Sequence, residues 1–283
     1  MKGGLQADSQ TDSKQRKYAG FTVVEVLIVL AVTGLLFVSA ASLISGRQNQ
    51  AAFDQGIQQV QSQLQQVIND VASGYYPNLA DFTCKNTGGL LTITGGSTAQ
   101  GTNGDCLFIG KTLQFGSGVA TDPERFATFS LAGLRTNAAG DQNMTLAATS
   151  PTVIPNSTTT TQLEGGISVD SMWYGNDKTN KIAAFAFTSS LGTINGSGIL
   201  TGTQQINIIP ITSTALTQTT AATPAAIHSV LSNAAALVNP SGGVQICFAS
   251  GGTDQSGLVT IGNNGTSGRE LGVTLDIKSG RSC

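Results

Sequence analysis

The sequence predicts an α+β protein in which one long N-terminal α-helix packs on a C-terminal head of antiparallel β-sheet. Residues 21–45 form a continuous apolar run with a single charge, which is long enough for a helix that crosses a bilayer. Residues 46–73 carry apolar side chains at alternating steps of four and three, the spacing of one helical face. From residue 74 onward, short apolar runs alternate with clusters of Gly, Asn, Ser and Thr, a pattern typical of antiparallel strands.

These patterns divide the chain into four segments. They are a leader at 1–20, a transmembrane helix at 21–45, an amphipathic continuation of that helix at 46–73, and a β-rich head at 74–283. The charges of the leader are Lys2, Lys14, Arg16 and Lys17 against Asp8 and Asp12. A basic stretch directly before an apolar run keeps that end of the chain in the cytoplasm.

The amphipathic segment has one apolar face and is rich in Gln elsewhere. We expect this face to pack against the head, because three heptads are short for a free-standing coiled coil. The predicted stripe is Phe53, Ile57, Val60, Leu64, Val67 and Val71.

The composition argues against several functions. Only 11 % of the residues are charged and the formal net charge is −2, whereas nucleic-acid binding requires a clustered basic face. The sequence contains no nucleophile elbow, zinc-protease helix or phosphate-binding loop. Its one histidine, His228, lies among apolar residues, which is typical of a structural role. We therefore predict that the protein is not an enzyme and uses no cofactor or metal.

Glu25 is the one charge in the apolar run. A carboxylate at the centre of a bilayer costs about 2.5–3.5 kcal/mol, and less near its edge, so a plain membrane anchor gains nothing from it. A cut before Phe21 would create an α-amino group that is largely protonated at neutral pH. That amine would lie one helical turn from Glu25, and the two charges could pair within one chain or between neighbouring helices. The second arrangement would make Glu25 a polymerisation signal.

Two other interpretations of the apolar run stay open. An ordinary secretory signal would be cut after Val38-Ser39-Ala40, which would give a secreted adhesin or binding protein beginning at Ala41. A membrane anchor that is never cut would give a surface-anchored protein. A buried core helix does not fit, because so polar a soluble domain needs no apolar run of this length.

The junction at residues 17–30, Lys-Tyr-Ala-Gly-Phe-Thr-Val-Val-Glu-Val-Leu-Ile-Val-Leu, resembles the class III leader junction of type IV pilins and type II secretion pseudopilins. The resemblance implies that a prepilin peptidase cuts after Gly20 and methylates Phe21, and that Glu25 is required for assembly. Gly34 also falls where major pilins have a glycine. The leader is longer than the shortest in the family, and Ser42 stands where many major pilins have a helix-kinking proline.

The same resemblance implies the function, partners and location. The chain is expected to be a structural subunit, major or minor, of a type IV pilus or a pseudopilus. Its partners would be copies of itself or other pilins, the prepilin peptidase and an inner-membrane assembly platform. It would be a single-pass protein of the cytoplasmic membrane before assembly, and part of an extracellular pilus or envelope-spanning pseudopilus afterwards.

The head is predicted to contain nine strands, one short helix and one exposed loop. The helix begins with Thr223 as N-cap and Pro224 as first residue, and places Ile227, Val230, Leu231 and Leu237 on one face. The loop is the Thr-rich stretch 149–163, which contains two prolines. The strands are 90–94, 106–115, 126–134, 166–173, 182–188, 205–212, 244–249, 257–262 and 271–277.

Four cysteines are expected to form disulfides, because we expect the chain to be exported and their number is even. Three pairings are possible, of which Cys84–Cys106 with Cys247–Cys283 closes the shortest loops. A metal site does not fit, since the sequence lacks C-x-x-C spacing. The C-terminal region also resembles minor pilins and pseudopilins of the H type, and the last cysteine pair resembles the disulfide-bounded loop of type IV pilins.

Overall fold

The computed structural model divides the chain into two compact units, 1–47 and 48–283. The residues it describes are 22–75, 82–96, 104–116, 123–142, 145–189, 193–194, 200–201, 206–212, 223–233, 237, 242–262, 271–280 and 283. The fold is α+β, with one long helix followed by antiparallel sheets, which confirms the predicted class.

Helix α1 extends over Val23–Ser73. It ends at Gly74, which adopts the left-handed conformation with φ of +68° that glycine accepts without steric cost. The Gly74 amide donates to the Val71 carbonyl at 3.2 Å, and the Tyr75 amide donates to the Asp70 carbonyl at 2.8 Å. These two bonds form a Schellman motif, which satisfies carbonyls that the helix leaves open.

Fourteen strands lie within the described part of the head. All nine predicted strands are present, and their ends differ from the prediction by no more than two residues. The strands are β1 (Phe82–Thr87), β2 (Leu90–Gly95), β3 (Cys106–Phe115), β4 (Arg125–Leu134), β5 (Thr152–Val153), β6 (Thr159–Gln162), β7 (Ile167–Tyr174), β8 (Ala184–Ser189), β9 (Thr193–Ile194), β10 (Leu200–Thr201), β11 (Ile206–Ile211), β12 (Val244–Ser250), β13 (Gln255–Gly262) and β14 (Gly272–Ser279).

The described part of the head contains two larger sheets and two hairpins. The six-stranded sheet has the order β11-β8-β3-β4-β5, with β6 also paired to β4, and the four-stranded sheet has the order β14-β13-β12-β7. The hairpins are β1-β2 and β9-β10. Every pairing is antiparallel, as the frequent turn signals of the sequence predict.

The second half of α1 packs into the main hydrophobic core of the head. Its buried stripe joins side chains from both large sheets, including Phe115 and Phe185 of the first and Phe248 and Val259 of the second. The prediction is wrong at one position, because Ile68 is buried where Val67 was expected and Val67 is only half-buried. The buried residues of the stripe are Phe53, Ile57, Val60, Leu64, Ile68 and Val71.

Two contacts join the second half of α1 to the head, one between backbone segments and one between charged side chains. A side chain on Gly56 would collide with the Glu164 carbonyl oxygen, so a glycine here lets the chain pass directly against α1. Further along, the ammonium of Lys111 on β3 lies 2.6 Å from the Asp70 carboxylate, and their side chains are only 7 % and 21 % exposed. These contacts fix the second half of α1 against the head.

Each disulfide links two parts of the head. Cys84 of β1 pairs with Cys106 of β3, and Cys247 of β12 pairs with Cys283. The first links the β1-β2 hairpin to the six-stranded sheet, and the second ties residue 283 to the four-stranded sheet. In the chain-entropy view, such links stabilise a fold by restricting the unfolded chain.

The prediction of an exposed loop at 149–163 is wrong. This stretch contains β5 and β6, and several of its residues are buried, among them Ser150, Val153 and Ile154. The sequence suggests a loop because its residues are mainly polar, but the ladder to β4 supplies backbone partners that polar composition does not reveal.

Helix α2 (Pro224–Leu231) is shorter than predicted. The Thr223 hydroxyl accepts from the Ala226 amide at 3.2 Å, so the predicted N-cap is confirmed. Leu237 lies beyond the helix but is packed against the same hydrophobic cluster. His228 is half-buried, and its Nδ1 lies 2.6 Å from the Pro151 carbonyl oxygen, which is a structural contact between α2 and the strand-forming stretch before it.

Candidate functional site

The first half of α1 exposes an unusual amount of apolar surface. Of the 14 large hydrophobic residues that are exposed among those described, 12 lie between Val23 and Val38. Phe37 is 76 % exposed and Leu35 is 71 % exposed. An exposed apolar surface of this size marks an interaction site or a membrane contact.

By length and composition, α1 could cross a membrane, and it is the one such helix among the described residues. No charged residue occurs from Val26 to Gly46. The most apolar stretch of α1 has none of its residues buried within the protein, unlike the core helix of a soluble domain. The apolar segment therefore needs a partner outside its own chain.

Two hydroxyl side chains of this segment form hydrogen bonds within the helix. The Thr33 hydroxyl donates to the Val29 carbonyl at 2.8 Å, and the Ser39 hydroxyl donates to the Leu35 carbonyl at 2.8 Å. Such bonds let hydroxyl groups enter an apolar medium without leaving a donor unpaired. Both residues are thus compatible with a lipid environment.

The N-terminus of α1 is capped by the side chain of Thr22. The Glu25 amide donates to the Thr22 hydroxyl at 3.3 Å, and Thr-x-x-Glu at this position matches the capping-box pattern. Glu25 is the acidic residue of the first helical turn, where the helix dipole favours negative charge. Neither of the ion pairs found among the described residues involves the Glu25 carboxylate.

The predicted site residues fall in separate places. Glu25 lies at the start of α1 and belongs to the unit 1–47. Gly20 and Phe21 lie outside the described residues, so no geometry relates them to Glu25. The four cysteines belong to the other unit and all form disulfides. Over the described part of the chain, no group of acidic, His or Cys residues could hold a metal ion.

Two further features of this region are visible in the sequence. Thr22 caps the helix that contains Glu25, and the Thr-x-x-Glu spacing could have revealed it. Arg47 is the first charge after Glu25 and the only basic residue between positions 21 and 84. Because no other basic residue lies near it in the sequence, Arg47 can be recognised as an isolated charge from the sequence alone.

Comparison with known proteins identifies the N-terminal region of the chain. The family described as the prokaryotic N-terminal methylation motif matches residues 15–41, a range that includes Gly20, Phe21 and Glu25. No curated protein and no solved structure matches the chain. The motif points to a structural protein rather than an enzyme. The motif and the exposed apolar helix together support a type IV pilin or pseudopilin, made as a precursor and suited to membrane anchoring.

Proposed function

We propose that this chain is a structural subunit of a type IV pilus or pseudopilus. A prepilin peptidase would cut after Gly20 and methylate Phe21, and the mature chain would polymerise through its first helix. Residues 21–45 would be the transmembrane and filament-core helix, 46–73 its amphipathic continuation, and 74–283 the head. Other copies or other pilins, and an inner-membrane assembly platform, would be its partners, in an extracellular or envelope-spanning filament.

One observation carries this proposal: an apolar helix surface that its own chain leaves exposed, with a single acid in its first turn. Before assembly, lipid would cover this surface. After assembly, neighbouring helices would cover it. Because both surroundings are apolar, the transfer gains little from the hydrophobic effect, and side-chain packing and polar contacts must provide specificity.

Glu25 would provide that specificity by pairing with the α-amino group of Phe21 on a neighbouring helix. The position of Glu25 in the first turn of α1, next to the predicted new terminus, supports this role. A second interpretation is that Glu25 only stabilises its helix start, through the capping pattern with Thr22 and the helix dipole. The two interpretations differ in whether the negative charge itself is needed.

Substitution of Glu25 distinguishes them. Gln at this position keeps the capping pattern but removes the charge, whereas Ala removes both. If charge pairing drives assembly, Glu25→Gln and Glu25→Ala both insert into the membrane and are both lost from sheared filaments, by roughly tenfold or more for a lost contact of about 1.4 kcal/mol. Glu164→Ala, a change of an exposed head acid, is the matched control and should assemble normally.

The outcomes separate the interpretations cleanly. Filaments that contain Glu25→Gln at the wild-type level but exclude Glu25→Ala would show that capping, not charge, is what Glu25 supplies. Filaments that contain both variants normally would contradict the assembly role of Glu25. The measurement is quantitative mass spectrometry of filament and membrane fractions from the same cells.

A further inference from the structure

Arg47 is a single basic residue placed where the apolar part of α1 ends. It is exposed, and its side chain forms no hydrogen bond or ion pair with the described residues. The next basic residue in the sequence is Lys85. A guanidinium is always charged at physiological pH, so this isolated charge needs a counter-charge or water.

The position of Arg47 relative to Glu25 matches the thickness of a membrane. Both residues lie on α1 and in the same compact unit. They are 22 positions apart in the sequence, which corresponds to about 33 Å along a helix. The hydrocarbon core of a bilayer is about 30 Å thick. If one charge lies at one face of the core, the other therefore lies at the opposite face.

We propose that Arg47 binds lipid phosphate at the outer face of the cytoplasmic membrane and thereby sets the depth of the helix before assembly. The proposal rests on the proposed function, since it requires that α1 spans a bilayer. It moves the end of the lipid-embedded segment from residue 45 to Arg47. It also places Glu25 close to the inner face, where a carboxylate costs less than at the centre of the bilayer.

The chemistry of Arg47 suits this partner. A guanidinium forms two parallel hydrogen bonds with a phosphate, which a lysine ammonium cannot reproduce. A long side chain can also keep its charged end at the interface while its stem stays in an apolar layer. The residues that follow, Gln48, Asn49 and Gln50, are polar and uncharged, so Arg47 is the one charged residue between Glu25 and Asp54 in the sequence.

A depth measurement tests the proposal on the full chain in vesicles. Trp at position 37 serves as the probe, because Phe37 is exposed within the apolar segment, and the signal of Trp173 is subtracted with the parent chain. The vesicles contain phosphatidylethanolamine and phosphatidylglycerol with bromine atoms at graded depths in the acyl chains. Quenching is compared for the Phe37→Trp chain alone and for the same chain carrying Arg47→Gln, Arg47→Lys or the exposed-head control Arg135→Gln.

The proposal predicts that Arg47→Gln moves the probe by about 5 Å, one helical turn, or spreads it over several depths. Arg47→Lys should give a smaller change, and Arg135→Gln none. In vesicles of uncharged galactolipids with the same brominated chains, the Arg47→Gln chain and the chain that keeps the arginine should place the probe at the same depth.

Three results would overturn it. If Arg47→Gln leaves the depth unchanged in phospholipid vesicles, Arg47 does not set the position of the helix. If Arg47→Gln keeps the wild-type depth but is lost from filaments, the partner of Arg47 is a neighbouring subunit and not lipid. If the depth difference is equal in galactolipid, phosphate is not the ligand. A probe that no brominated lipid quenches would instead show that α1 does not insert, which contradicts the proposed function itself.

Discussion

The two halves of α1 present opposite surfaces although both are rich in apolar residues. From Val23 to Val38 the large side chains are exposed, whereas Phe53, Ile57 and Leu64 in the second half are buried. The first half is apolar on all sides, and the second is apolar along one stripe. A stripe can be covered by one neighbouring surface, which the head supplies. A helix that is apolar all round must be surrounded, as it would be in a membrane or among neighbouring helices.

Replacing one phenylalanine with alanine in each half of α1 should give the largest difference in the free energy of unfolding. Phe53→Ala should lower the free energy of unfolding by about 3–5 kcal/mol, because it leaves a cavity in the core. Phe37→Ala should change it by less than about 0.5 kcal/mol, as is usual for exposed positions. Chemical unfolding of the full chain in detergent micelles, followed by Trp173 fluorescence, measures both. Equal losses for the two variants would contradict the distinction between the halves.

The ion pair at the end of α1 tests how firmly the second half is held. Asp70→Ala leaves the Lys111 ammonium buried without its partner, and we expect a loss of about 3 kcal/mol. Replacement of the pair by Asp70→Leu with Lys111→Met should cost much less, since it removes both charges. Asp276 and Lys278 form an exposed pair at 3.1 Å, so Asp276→Ala is the control and should cost less than about 1 kcal/mol. A loss for Asp70→Ala as small as the control would show that the pair does not hold the helix.

The smallest expected effect is a change in the pKa of Asp177, a carboxylate that accepts a hydrogen bond within its own turn. The Thr179 amide donates to Asp177 Oδ1 at 2.9 Å, and this bond, with a weaker contribution from the Thr179 hydroxyl, lowers the pKa of Asp177. The folded-state pKa is depressed, so the carboxylate stabilises the folded chain above its unfolded-state pKa. That contribution is lost as the pH falls through the lowered value.

Thr179→Val keeps the amide donor and removes the hydroxyl, so it should raise the pKa of Asp177 only part of the way towards its ordinary value. Carbon-13 NMR titration of the carboxyl group measures this. An Asp177 that titrates at its ordinary pKa in the wild-type chain would contradict the role of the turn.

The sequence predicted the helix and the larger strands because each has a strong local pattern. The apolar run and the spacing of three and four residues predict α1. Clusters of Gly, Asn, Ser and Thr mark the ends of the nine predicted strands. The stripe was wrong at Ile68 because Val67 and Ile68 are both apolar, and only the surface of the head decides which one is buried.

The elements that were missed depend on tertiary pairing. Strand β6 is four polar residues, Thr159–Gln162, and exists because β4 offers its edge. Strand β1 is short and polar, but the Gly88-Gly89 turn after it, with φ of +64° and +89°, is a hairpin signal that could have revealed it. The candidate site was more predictable than the head, since a charge in an apolar run is visible in the sequence. The predicted partner of Glu25, the α-amino group of Phe21, lies outside the described residues and stays a prediction.

The most direct test of this account is the mass of the N-terminal peptide from protein purified out of filaments or membranes. We expect the mature chain to begin at Phe21 and to carry one methyl group on its α-amino nitrogen, next to the capped helix start that contains Glu25. A mature chain that begins at Ala41, as an ordinary signal cut would produce, or that retains residues 1–20, would contradict it.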